Sequence, residues 1–137
     1  MYAATLLLHS WLRWVVLILG VMAILRAGGD RSGRDRSGLL FTIALDIQVL
    51  LGLILYTALS PMTRAAMQNM GAAMHTGTVR FWAVEHPFAM LLALVFAHVG
   101  RSRPRRAVAF FTIAVILVLI GMPWPGLPYA RPLFRSH

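Results

Sequence analysis

The chain has 137 residues, 59% of them hydrophobic and only 12% charged, with a formal net charge of +9. A soluble domain is nearer half apolar and a quarter charged, so this composition points to the membrane. Cysteine is absent, which excludes disulfides, thiolate metal sites, c-type haem attachment and cysteine nucleophiles.

Four apolar runs approach the roughly 20 residues that cross a bilayer. They leave no length for a separate soluble domain, so residues 1–137 read as one integral membrane domain. The first covers about Ala3 to Leu25 and ends at Gly28-Gly29, before the loop GGDRSGRDRSG. It lacks the basic start of a signal peptide, and His9 and Arg13 interrupt it, so it reads as a retained membrane helix. The second covers about Leu39 to Leu59 and stops at Ser60-Pro61. The long connection to Arg80 carries Met67, Met70 and Met74 at helical spacing, which predicts a short interfacial helix. The third run covers about Phe81 to Val99, and the turn GRSRPRR leads to the fourth, about Ala107 to Met122. The tail 123–137, PWPGLPYARPLFRSH, has too many prolines for a helix, and its Trp124 and Tyr129 suit the membrane interface. The fold expected is all-α: a four-helix transmembrane bundle, up-down-up-down, with short loops.

Every basic residue other than histidine is an arginine. No basic patch lies outside the helix flanks, so these arginines read as topology signals and nucleic acid is not an expected partner. The first and third connections hold Arg26, Arg31, Arg34, Arg36, Arg101, Arg103, Arg105 and Arg106, against Arg64, Arg80, Arg131 and Arg135 on the other side. The positive-inside rule then places both termini on the outer, periplasmic side of a bacterial inner membrane.

Polar residues inside these runs are the most informative feature. An ionisable side chain near the bilayer centre costs roughly 2.5–3.5 kcal/mol on insertion scales, which a partner helix, a cofactor or a watered pocket must offset. His9 and Arg13 lie in the first run, Asp46 and Gln48 in the second, and Glu85, His86 and His98 in the third. At a rise of 1.5 Å per residue, His9 lies roughly 9 Å and His86 roughly 8 Å below the outer boundary. Gly52 falls near that level, where a missing side chain leaves room for something flat. Gln48, Gly52 and Tyr56 recur every four residues and form one face.

Two imidazoles at one depth on facing helices suit the axial positions of a b-type haem. The propionates would need cations, for which Arg13 and Arg80 are placed. Trp11, Trp14, Phe81 and Trp82 could wall a porphyrin, and Pro87 should kink the helix beside His86. The plainer alternative is that His9 and His86 hydrogen-bond across helices as polar glue.

Arg13 and Asp46 share a mid-membrane level, so an interhelical ion pair is expected, either architectural or as a step in a proton path or a quinone contact. Glu85 points about 100° away from His86 and is expected to orient a neighbour, an arginine or His9. His98, with no histidine opposite it, reads as an interface residue. The cluster Met67, Met70, Met74 and His75 could bind Cu(I), but methionines at this spacing more often form the apolar face of a surface helix.

The stretches HSWLRW, LDIQVLLGLILY followed by SP, RFWAVEH, GRSR, PWPG and RPLF resemble a group of small bacterial four-helix membrane proteins labelled cytochrome b-like or uncharacterised. The resemblance covers nearly the whole chain, and His9, Arg13, Gln48, Arg80, Glu85 and His86 match its polar motif positions. The label implies haem b. The resulting expectation is an electron-transfer protein with one haem near the outer face, a quinol as donor and another redox protein as acceptor. The rival is a cofactor-free accessory subunit of a larger respiratory or photosynthetic membrane complex. A proton or small-ion conduit through Asp46, Arg13 and Glu85 ranks last, because Thr112 alone interrupts the fourth apolar run. Soluble-enzyme chemistry finds no phosphate loop, no HExxH and no paired carboxylates on one face.

Overall fold

The computed structural model describes residues 1–29 and 36–134 and, among them, contains helices and no strand. Arg31, Arg34 and Arg135, which enter the orientation argument, lie outside the described residues, as do positions 136 and 137 of the tail. Helix α1 spans Tyr2–Gly29 and α2 spans Ser37–Ile54, which continues as a π-helical stretch, Leu55–Leu59. The long connection folds as α3 (Pro61–Gln68), α4 (Met70–His75) and α5 (Gly77–Arg80). A second π-helical stretch, Phe81–Glu85, leads into α6 (His86–Ser102), and a 3-10 turn, Pro104–Arg106, precedes α7 (Ala107–Ile120).

Among the described residues, three continuous helices are long and apolar enough to cross a membrane: Tyr2–Gly29, Ser37–Leu59 and Gly77–Ser102. The fourth apolar run forms α7, whose 14 residues span about 21 Å. The three long helices and α7 pack in a ring, α1 on α2, α2 on α6, α6 on α7 and α7 back on α1. Val16, Phe41, Thr42 and Leu45 fill its centre, and Ala93, Ala97 and Ala114 are fully buried at the contacts. Small residues at such contacts let membrane helices approach closely. At one end Phe111 of α7 lies against Gly38 of α2 and Gly100 of α6. A Cβ on either glycine would stand 2.9 Å from the Phe111 ring, so the ring fits because both positions lack one.

Large apolar side chains also face outward all along the bundle, among them Ile18, Leu50, Val95, Phe88, Ile116 and Ile120. Such faces suit lipid rather than water.

The expected single interfacial helix is two. Asn69 breaks it: its side chain accepts from the Ala72 amide at 3.1 Å and caps α4, which puts Met67 on α3 and Met70 and Met74 on α4. Ser60 caps α3 in the same way, accepting from the Thr63 amide ahead of Pro61 at the first helical turn.

The tail is a strap. Consecutive turns carry it back across the end of the bundle where α1 begins. Tyr129 stacks on Phe81 at 3.6 Å between ring centroids, and Phe134 stacks on Trp14 at 5.2 Å. Trp124 Nε1 donates to the Leu119 carbonyl at 2.8 Å. Arg13 pins the strap from below, its Nη2 donating to the Pro132 carbonyl at 3.3 Å and to the Leu133 carbonyl.

Candidate functional site

Near that end, α1, α2 and α6 bring His9, Gly52 and His86 together. The local cause on α6 is Pro87. It has no N–H, so the Ala83 carbonyl loses its ordinary helical donor. The π-helical stretch Phe81–Glu85 falls immediately before it, and Tyr56 of α2 supplies a replacement, its hydroxyl donating to Ala83 O at 2.9 Å. The distortion sits one turn from His86, as π-bulges at functional sites often do.

The His9 and His86 ring centroids lie 6.3 Å apart with their planes inclined at 74°. His86 Nδ1 is 2.7 Å from the Gly121 carbonyl. A carbonyl only accepts, so Nδ1 carries a proton, and in the neutral ring Nε2 then keeps its lone pair. Metal-bound histidines are commonly oriented in this way. Gln48 Nε2 donates to the His9 carbonyl at 2.9 Å and stands 3.4 Å from His9 Nε2. His9 Nδ1 and Gln48 Oε1 are buried and have no hydrogen-bond partner among the described residues. Native structures leave few such atoms, and each calls for a physical reason.

The flat group that lies against Gly52 is the His9 imidazole. A Cβ at Gly52 would stand 3.2 Å from His9 Cε1. The face Gln48, Gly52 and Tyr56 thus serves throughout, touching His9 twice and Ala83 once.

Three clefts border both histidines, with about 600, 510 and 400 Å³ of empty space, open solvent included. Their walls are mainly apolar: Leu6, Val16 and Val118 in the first, Leu55 and Met62 in the second, Leu53 and Leu91 in the third. Of the four aromatics expected as walls, Trp82 borders two of these clefts and lies 5.3 Å from the His86 ring. Phe81 also lies near His86, 6.0 Å between ring centroids, but borders none of these clefts and stacks on Tyr129, while Trp11 and Trp14 are placed elsewhere, against Phe134.

The expected Arg13–Asp46 pair gives way to different partners. Asp46 pairs with His98, Oδ1 to Nε2 at 2.9 Å, and both side chains are about half exposed. Arg13 is buried and reaches the strap. His98 is therefore the hydrogen-bond partner of Asp46, a role its lack of a facing histidine did not indicate. Arg80 meets Glu85, Nε to Oε1 at 2.7 Å, also half exposed. Glu85 thus orients an arginine, and Arg80 turns away from the histidine clefts. Among the described residues no group of three or more His, Cys, Asp or Glu side chains is placed to hold a bare metal ion.

Two site features escape a reading by helical depth. Arg131 of the strap lies over the Trp82 ring, Cζ 4.8 Å from its centroid, and borders the first two clefts. The Gly121 carbonyl that orients His86 lies just past the end of α7. The available signal was the helix stop at Gly121-Met122-Pro123, where carbonyls lose their helical donors. In comparisons with known proteins, no family model, no curated protein and no solved structure matches this chain.

Proposed function

We propose that the protein is a small membrane cytochrome of the b type, holding one haem between α1 and α6 with His9 and His86 as axial ligands. It would take electrons from a quinol and pass them to another redox protein. The observation that carries this reading is the His9–His86 geometry. A metal ion between two imidazoles, about 2 Å from each ligating nitrogen, sets the ring centroids about 6 Å apart. The rings here are 6.3 Å apart, and clefts adjoin them on several sides. The buried, unpartnered His9 Nδ1 and the oriented His86 add support.

A haem at this position supplies a one-electron carrier. The chain's part is to place and shield it. Gly121 fixes the tautomer and direction of His86, while Gln48 ties α2 to α1 at His9. Gly52 lets the His9 ring lie close to α2. Apolar walls hold water away and lower the local dielectric, which with axial ligation tunes the potential of a haem.

In the membrane, α1, the Ser37–Leu59 helix, the Gly77–Ser102 helix and α7 would form four crossings, up-down-up-down, with α7 the short one. Both termini would face the periplasm of a bacterial inner membrane, on the arginine distribution. The haem would then lie roughly 8–9 Å below the outer boundary by helical rise, within reach of a periplasmic redox protein.

The test is the visible spectrum of the detergent-purified protein, oxidised and dithionite-reduced, beside His9→Ala and His86→Ala. A sharp b-type difference band, lost in both variants, is the expected result. A colourless protein after expression with ample haem overturns the reading. One observation favours the accessory-subunit alternative: Asp46 and His98 form a half-exposed hydrogen-bonded pair on a face that also carries exposed Ile43, Ile47, Leu50 and Val95. Another membrane chain covering that face would shield the pair from lipid. A colourless protein that purifies with a larger membrane complex is what this alternative predicts.

A further inference from the structure

The strap carries a cation to the mouth of the histidine clefts, and its charge has no described counterpart. Arg131 borders the two larger clefts that touch His9 and His86, together with a third, shallower cavity between Trp82 and the strap. Its guanidinium is held over the Trp82 ring, an arrangement that orients it without using its hydrogen-bond donors. Both described acidic residues are engaged elsewhere, Asp46 with His98 and Glu85 with Arg80. Arg131 thus meets no carboxylate among the described residues.

The strap that carries it is fixed at several points. Thr78 Oγ1 donates to the Pro128 carbonyl at 3.3 Å, the Arg131 amide to the Pro123 carbonyl at 3.4 Å, and Trp14 Nε1 to the Leu133 carbonyl at 3.3 Å. Tyr129 is stacked on Phe81 on one side of Arg131, and Arg13 holds Pro132 on the other. The guanidinium is therefore presented by an anchored segment.

We infer that Arg131 is the carboxylate clamp of the site: it receives a propionate of a tetrapyrrole held between His9 and His86, and the strap Pro123–Phe134 closes over that edge. This rests on the haem reading. It replaces Arg80, which is spent on Glu85, and adds to Arg13, whose Nη2 is spent on strap carbonyls. A planar guanidinium matches a carboxylate with two parallel hydrogen bonds, and an apolar surrounding strengthens the contact.

The test uses the full chain in detergent, reconstituted with haem b or with its dimethyl ester, in which both carboxylates are blocked. Haem release to excess apomyoglobin is timed for the unsubstituted chain, Arg131→Gln, Arg131→Lys and Arg64→Gln, an exposed arginine that borders none of the three clefts. Arg131→Gln should release haem b about ten-fold faster or more, as loss of a charge-assisted hydrogen bond implies. Arg131→Lys should be intermediate, and Arg64→Gln unchanged. With the dimethyl ester, the unsubstituted chain and Arg131→Gln should release at one rate. Equal rates with haem b overturn the clamp while leaving His9 and His86 as ligands. A difference that persists with the ester also overturns it, because the strap would then act as a cover without recognising carboxylate. An unsubstituted chain that takes up no haem overturns the cytochrome reading itself and the clamp with it.

Discussion

The Tyr56 hydroxyl donates to the Ala83 carbonyl at 2.9 Å, replacing the backbone donor that Pro87 cannot supply. The bond ties the π-helical end of α2 to the π-helical entry of α6, next to His86. Tyr56→Phe leaves the carbonyl of buried Ala83 short of a donor, which costs about 1–3 kcal/mol. Thermal unfolding in detergent should show a lowered midpoint. In Pro87→Ala the backbone N–H returns, so adding Tyr56→Phe there should cost less. Equal losses in the two backgrounds would mean that the phenol does not stand in for the missing amide.

Gly52 sets how closely the His9 ring approaches α2. A methyl at 52 would meet His9 Cε1 at 3.2 Å, closer than ordinary contact, so the ring must yield by a few tenths of an ångström. Gly52→Ala should fold and still take up haem, with a shifted reduced band and weaker retention. Gly52→Val puts two more methyl groups beside the His9 ring and into the clefts that Gly52 borders, a crowding that typically costs about 1–3 kcal/mol, and should prevent haem uptake. The spectra of the two variants, read beside their melting midpoints, check this. A Gly52→Val protein with an unchanged spectrum would mean that His9 does not rest on this position.

The histidine pair was legible in the sequence because helical rise makes depth countable: His9 and His86 enter from one side at nearly equal counts. Depth alone misplaced Asp46. It lies two residues before Gln48, about 200° around the helix, so when Gln48 turns inward to His9, Asp46 turns away. The same periodicity that grouped Gln48, Gly52 and Tyr56 therefore argued against an Arg13 partnership. The strap was not legible. Its prolines excluded a helix, but irregular chain carries no period from which to read a target. The stacking of Tyr129 on Phe81 and the placement of Arg131 over Trp82 emerge from the fold alone.

Arg13 is the anchor of that strap. Hydrogen bonds from a charged donor contribute about 1.5–3 kcal/mol each when buried, and Arg13 makes two to strap carbonyls. Arg13→Gln should therefore loosen the strap more than the bundle. Amide exchange should rise at Ala130 and Arg131, whose N–H groups bond within the strap, while the amides around Ala93 and Ala97 stay protected. Uniform exchange gains over both regions would make Arg13 a bundle residue rather than a strap anchor.

Mutant cycles distinguish the observed partnerships from the expected one. Residues in one ion pair couple, whereas residues without shared partners add to within about 0.5 kcal/mol. Asp46→Asn and His98→Gln should therefore be non-additive in thermal stability, the second substitution costing little once the first has broken their 2.9 Å contact. Asp46→Asn and Arg13→Gln should add, because Arg13 spends its Nη2 on strap carbonyls and Asp46 meets His98. The Asp46–His98 coupling should be small in detergent, below about 1 kcal/mol for a half-exposed pair, and should grow in bilayers, where less water reaches it. Strong coupling of Asp46 to Arg13, with none to His98, would restore the mid-membrane ion pair and remove the placement of His98 argued from the structure.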